Sequence, residues 1–239
     1  MSTPGGLRHR GAGQRAGLSR ELVLAAARRI ADAEGVERLT MRRLAGEVGV
    51  LPNALYSYFP HKEALLDALV DDLLGDIDAG DPTAGDWRDG LVRVMDSSRR
   101  LLLAHPQLVS VFLARPGLGP NAARLGEVTF GLLRRGGLEG ERAVEAFRVL
   151  LIYSLGFAAF QAPRLRLDSP TRTQQVEATF ADLPEGSFPE MRRLAGHLAA
   201  PTTDRHFNTG LRWLLDGMAP DRRASRSRHR QPSSSSTGG

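Results

Sequence analysis

Residues 41–60 read MRRLAGEVGVLPNALYSYFP. The stretch fits two short helices, over about 41–48 and 52–58, separated by Gly49. Ala45 supplies the small residue that two closely crossing helices need. Gly49 tolerates a positive φ without a Cβ clash. Leu44, Val48, Val50, Leu55 and Tyr58 fall where apolar side chains would lock the pair to a preceding helix. A helix-turn-helix makes these demands, and its second helix presents N-terminal residues to base edges in a major groove. An ordinary helical hairpin makes them too, so the flanking sequence decides.

Upstream, Ser19 is a helix N-cap, Leu22, Ala26, Ile30 and Ala33 recur at helical spacing, and Gly35 ends the segment. Thr40 caps the second helix. Downstream, a fourth helix begins near His61 with Leu65, Leu69, Leu73 and Ile77 on one stripe. The segment AGDPTAGD at 79–86 is a break and marks a domain boundary. Further helices are expected over 87–104, 106–114, 120–135, 140–161, 188–198 and 203–218. Residues 162–187, with Pro163, Pro170 and Pro184, read as a long connection holding one helix. Strand-like alternation is missing, so the fold class is all-α. The expected divisions are a disordered basic arm (1–18), a DNA-binding domain with its linking helix (19–78), a larger helical domain (79–219) and a disordered basic, Ser-rich tail (220–239).

The net charge is +5, and Lys62 is the sole lysine. An arginine bias of this kind follows from a GC-rich genome, so placement says more than the count. Basic residues crowd the first 43 positions and the last 20, which fits a nucleic-acid-binding module on a balanced body. The chain has no cysteine, which excludes zinc fingers, thiol catalysis and a disulfide framework. No G-x-S-x-G, phosphate loop or carboxylate–histidine cluster appears, so no enzyme is expected. His105, His197 and His206 are scattered, so no metal and no cofactor is expected either. No signal-peptide core follows Arg8, Arg10 and Arg15. The longest apolar run, Val149 to Phe160, is interrupted by Ser154 and Gly156 and falls short of the ~20 residues of a membrane span. The expectation is a cytoplasmic protein with no membrane partner.

The segments LTMRRLAGEVGV (39–50) and ALYSYFPHKEALL (54–66), with Gly35, Thr40, Ala45, Gly49, Tyr56, Phe59, Lys62, Glu63 and Leu65, resemble the TetR family of transcriptional regulators. The resemblance is strong from Ser19 to about Leu74 and weaker beyond. Within the family, LYSYFPHKEALLDALVDDLL and the later LARPG and SLGF segments are most similar to the tetracycline-repressor branch. It implies an N-terminal three-helix helix-turn-helix domain joined by helix four to a larger ligand-binding and dimerisation domain. It also implies a homodimer on a palindromic double-stranded DNA operator, released by a small-molecule effector. A ligand-independent regulator or an activator is the alternative.

Roles follow by resemblance. Thr40 matches the family's helix-start hydroxyl that meets a phosphate; Tyr56 and Lys62 match its phosphate-contacting tyrosine and lysine. Arg42 stands where the tetracycline repressor places a base-reading arginine, suited to guanine O6 and N7. Arg43 is either a further contact or a solvated charge. Leu51, Pro52, Asn53 and Ala54 occupy groove-facing positions: Asn53 suits adenine and Ala54 a thymine methyl. Leu51 and Pro52 depart from the polar residues common there. Tyr58 and Phe59 read as core. The arm arginines either reach a minor groove or stay solvated.

The family dimerises through two C-terminal helices, here 140–161 (Val144, Phe147, Leu151, Leu155, Ala158) and 203–218 (Phe207, Leu211, Leu214, Leu215). Periodicity alone does not separate an interface face from a core face. Phe112, Phe130, Tyr153, Phe157 and Gln161 are the candidates for lining a largely apolar effector site, plain core being the alternative for each. Val111 and Ile152 stand near the tetracycline repressor's metal-binding histidines, so a magnesium–tetracycline ligand is not implied. Helix four is the expected lever between effector and reading head.

Overall fold

A computed structural model describes residues 17–218, apart from 116, 166 and 168. Among the described residues there are twelve α-helices and no strand. They are α1 (Arg20–Glu34), α2 (Met41–Glu47), α3 (Pro52–Leu55), α4 (Lys62–Leu74), α5 (Trp87–Ala104), α6 (Val109–Ala114), α7 (Pro120–Arg135), α8 (Gly140–Leu165), α9 (Pro170–Ala181), α10 (Pro189–Arg193), α11 (Ala195–Ala199) and α12 (Asp204–Met218). The tail expected over 220–239 lies outside the described residues, as does the arm but for Gly17 and Leu18. Leu18 belongs to the folded part: its carbonyl accepts the Tyr58 hydroxyl at 2.7 Å and its side chain packs on the core.

The helices form two compact units. The first holds the residues up to Ile77 together with Ser98–Leu125 and Ala158–Leu167; the second holds Asp78–Ser97, Gly126–Phe157 and the described residues from Ser169 on. Thus α5, α7 and α8 each supply residues to both, and the first unit draws in segments beyond the linear boundary read at 78/79.

Local chemistry explains the first unit's elements. Ser19 Oγ accepts the Leu22 N–H at 3.2 Å and Thr40 Oγ1 the Arg43 N–H at 3.1 Å, each capping a helix start. Gly35 (φ 88°) and Gly49 (φ 70°) make the turns that only glycine adopts freely. The buried face of α1 is Val23, Leu24, Ala26, Ala27, Ile30 and Ala31. Leu22 and Ala33, read as part of its stripe, point outward. A four-residue step drifts about 40° around a helix, so the stripe begun at Leu22 starts off the buried face. Leu39, Leu44, Ala45, Leu55, Phe59, Leu65, Leu69 and Leu73 complete one apolar cluster, each large side chain worth about 1.5–3 kcal/mol on burial. Ile77 is buried but lies past the end of α4.

Polar ties join α4 to the segment after α6. Arg115 pairs with Asp67 at 2.6 Å. The Asp71 carboxylate caps α7, accepting the Ala122 N–H at 3.0 Å and the Asn121 N–H at 3.4 Å. Gly119 makes this possible, because a Cβ there would overlap the carboxylate. On the other side of the unit, His105 bridges Asp32 (2.8 Å) and Arg28 (2.7 Å). A guanidinium only donates, so Nε2 of His105 accepts and its Nδ1–H donates to Asp32.

In the same unit Asp72 sits among like charges. Burial, then the Asp76 carboxylate, then Asp71 and Glu21, raise its carboxyl above the ordinary 3.8, with Arg28 opposing. The folded state therefore binds this proton more tightly than the unfolded chain. The charged form costs stability above the folded pKa, and the cost fades as pH falls through it. Asp72→Asn is expected to raise the melting temperature at pH 7, the gain vanishing below about pH 4. Melting curves of both proteins across that range check it; an equal gain at every pH would assign the effect to something other than charge.

In the second unit, Tyr153, Phe157 and Phe207 form an aromatic cluster, with centroid separations of 5.1–5.7 Å. The Tyr153 hydroxyl donates to the Phe207 carbonyl at 2.9 Å. Phe207, Leu211 and Leu215 of α12 are buried within the chain. The segment read as 188–198 is two short helices, α10 and α11, packed on α9. Helix α8 runs four residues beyond the 140–161 read from the sequence. Within it the Ser154 Oγ donates to the Leu150 carbonyl one turn back at 2.9 Å. Pro163 falls in the last turn and removes one N–H donor there, yet the helix runs to Leu165. At 26 residues it is long and apolar enough to cross a membrane, by length and composition. Only 28 % of its most apolar stretch is buried. Val144, Val149, Leu151 and Ile152 stay exposed on it, as does Trp213 on α12.

Candidate nucleic-acid interface

The two crossing helices are built as the sequence predicts. Ala45 is buried, and the Val50 N–H closes the turn onto its carbonyl at 3.0 Å. Helix α3 is shorter than expected: regular helix covers Pro52–Leu55, and residues 56–58 continue as turns. Its base is anchored by Leu55 and Phe59, both buried, with the Arg20 guanidinium 4.4 Å from the Phe59 ring centroid. Tyr58 packs on the core and bonds Leu18. Tyr58 and Phe59 thus hold the head together.

What remains outside is the candidate surface. Arg42 is exposed on α2. Leu51 is 79 % exposed and Tyr56 48 %; Asn53 is exposed, and Pro52 and Ala54 are half-buried. Thr40 is exposed at the α2 start, with its own O–H still available after capping. Lys62 is half-buried and donates one hydrogen bond, to the Val36 carbonyl at 3.2 Å, from an ammonium that has three. Leu51 holds the N-cap of α3 with no side-chain cap bond. A Ser or Asp there would stabilise the helix by about 1 kcal/mol, so the fold does not select leucine at this position.

Arg43 behaves differently from its neighbour. Its guanidinium pairs with Glu34 of α1 at 2.6 Å and with Glu47 one turn on at 2.8 Å. These bonds raise the Arg43 pKa and lower that of Glu34. Arg43 is a clamp between α1 and α2. Glu34, one residue before Gly35, carries no signal in the sequence that would pair it with Arg43.

The five candidate effector residues are not alike. Phe112 packs against the apolar cluster of the first unit. Gln161 is buried there and accepts a 2.8 Å hydrogen bond from the fully buried Arg99, a residue the sequence reading passed over. In the second unit, Tyr153 and Phe157 come together around Phe207, while Phe130 pairs with Phe147 at 5.1 Å. Phe130 also lines a cavity of about 430 Å³ with Leu138, Ala143 and Val144. Among the described residues no group of His, Asp and Glu is arranged to hold a metal ion.

Comparison with known proteins places this architecture. Residues 23–69 match the family of bacterial regulatory proteins of the tetR type, and residues 79–221 match the tetracyclin repressor-like C-terminal domain. The transcriptional repressor DrrR1 of Streptomyces coeruleorubidus is 34% identical over 84% of this chain and 77% of its own length. The class A tetracycline repressor from Escherichia coli is 30% identical, over 84% of this chain and 90% of its own. The crystal structure of Streptomyces coelicolor ActR in complex with actinorhodin superposes with a TM-score of 0.77 at 32% identity, over 85% of this chain and 97% of that one. With both of its domains matched in chain order, the chain belongs to the TetR family of transcriptional regulators, with a C-terminal domain of the tetracycline-repressor type.

Proposed function

We propose that this regulator is a ligand-responsive repressor that binds a palindromic double-stranded DNA operator as a homodimer and is released by a small, largely apolar molecule. The observation that carries the reading is the exposed apolar face of α8, Val144, Val149, Leu151 and Ile152, on a chain that also carries a complete reading head. Such a face is costly in water, and a second copy of the same helix would cover it. Two-fold pairing then sets two recognition helices on successive major-groove faces, which a palindrome matches.

In this reading Arg42 and Asn53 read base edges, Leu51, Pro52 and Ala54 make apolar groove contacts, and Thr40, Tyr56 and Lys62 hold phosphates. Arg43 holds the head in shape. The effector acts through its different affinity for two conformations of the body, with Phe130 and Phe157 of the second unit as the candidates to meet it. ActR, bound to actinorhodin, is the relative that supports a small-molecule effector here. The protein would act in the cytoplasm and catalyse nothing.

Footprinting tests this. Purified protein is titrated on the DNA upstream of its own coding sequence, at stated salt, with and without a panel of apolar compounds. A protected palindrome released by one compound is the expected result. Protection that no compound releases would leave a ligand-independent regulator.

A further inference from the structure

Leu51 is the most exposed large apolar side chain of the reading head, at 79 %. It stands immediately before α3, where a polar cap would strengthen the helix and leucine does not. The residues that follow are scarcely more polar: Pro52 and Ala54 offer no side-chain hydrogen bond, and only Asn53 brings an amide. A recognition helix of this composition cannot rest its sequence preference on hydrogen bonds alone.

We propose that Leu51 reads the 5-methyl group of a thymine, so that part of the operator preference is hydrophobic. The proposal rests on the DNA-binding reading above. Thymine alone among the four bases presents a methyl on the major-groove edge, where cytosine presents an amino donor. Packing an isobutyl group on that methyl removes apolar surface of both from water. The same leucine set against cytosine would strand the amino group without an acceptor.

The full-length protein is used to select binders from a library of randomised duplexes at fixed salt. Each thymine of the recovered half-site is then replaced by deoxyuridine, which pairs identically and lacks only the methyl. At the thymine that faces Leu51, replacement is expected to weaken wild-type binding about fourfold, or about fifteen-fold when both half-sites are changed. Leu51→Ser is expected to bind the thymine and uracil duplexes of that position equally, while melting about 2 °C higher because it caps α3. Indifference of the wild type to uracil at every position would overturn the proposal. So would a half-site without thymine, or a Leu51→Ser protein that keeps the full discrimination. Failure to enrich any palindrome would instead overturn the DNA-binding reading on which the proposal stands.

Discussion

Replacing Arg42 by alanine is expected to cost roughly a hundred-fold in operator affinity while leaving the melting temperature unchanged. A bidentate guanidinium–guanine contact is worth about 1–3 kcal/mol, and a dimer makes it twice. Arg42 is exposed on α2, so its loss removes little that the fold uses. The neighbouring substitution supplies the contrast. Arg43→Ala breaks the ties to Glu34 and Glu47, so it should lower the melting temperature and leave base preference intact. Titration of both variants against the selected duplex and its single-base mutants, beside thermal melts, checks the pair. If Arg43→Ala relaxes the preference and Arg42→Ala does not, the two roles have been exchanged.

The second large effect is at α8. Ile152 is 69 % exposed, so Ile152→Asp disturbs little inside one chain. Within a two-fold interface it would bury two uncompensated carboxylates, a strongly destabilising change. The expected outcome is a monomer by sedimentation, with operator binding reduced to the non-specific level, roughly a thousand-fold weaker or more. Circular dichroism should stay that of the wild type. A variant that remains dimeric would place the interface on another face.

Legibility in the sequence followed the range of the interactions. Ser19, Thr40, Gly35 and Gly49 were readable because a cap or a left-handed turn is decided within about four residues. The first seven described helices begin close to where the sequence put them, since N-caps, prolines and the break at 79–86 act locally. The four residues of α8 past Gln161 are not legible because Pro163 reads as a breaker, whereas it lies in the final turn. Arg43 was ambiguous because its partner Glu34 lies on another helix. The effector candidates were least readable: an aromatic residue at helical spacing looks the same whether it stacks on Phe207, as Tyr153 does, or borders a cavity, as Phe130 does.

Helix α4 is held at both ends. His61 caps its start, with Nδ1 accepting the Ala64 N–H, and Lys62 ties it to Val36 of the reading head. Its later turns are tied by Asp67 to Arg115, by Asp71 to the start of α7, and by the Leu74 carbonyl to Arg124. Its 13 residues make a rod of about 20 Å. A rod fastened in this way turns a small tilt into travel: about 5° at one end is about 1.7 Å at the other. A hydrogen bond to a base edge tolerates only a few tenths of an ångström. In the proposed reading, grip on DNA would be lost through a rotation that leaves every buried side chain in contact with its neighbours, and an effector with only a few contacts of its own would command the whole operator.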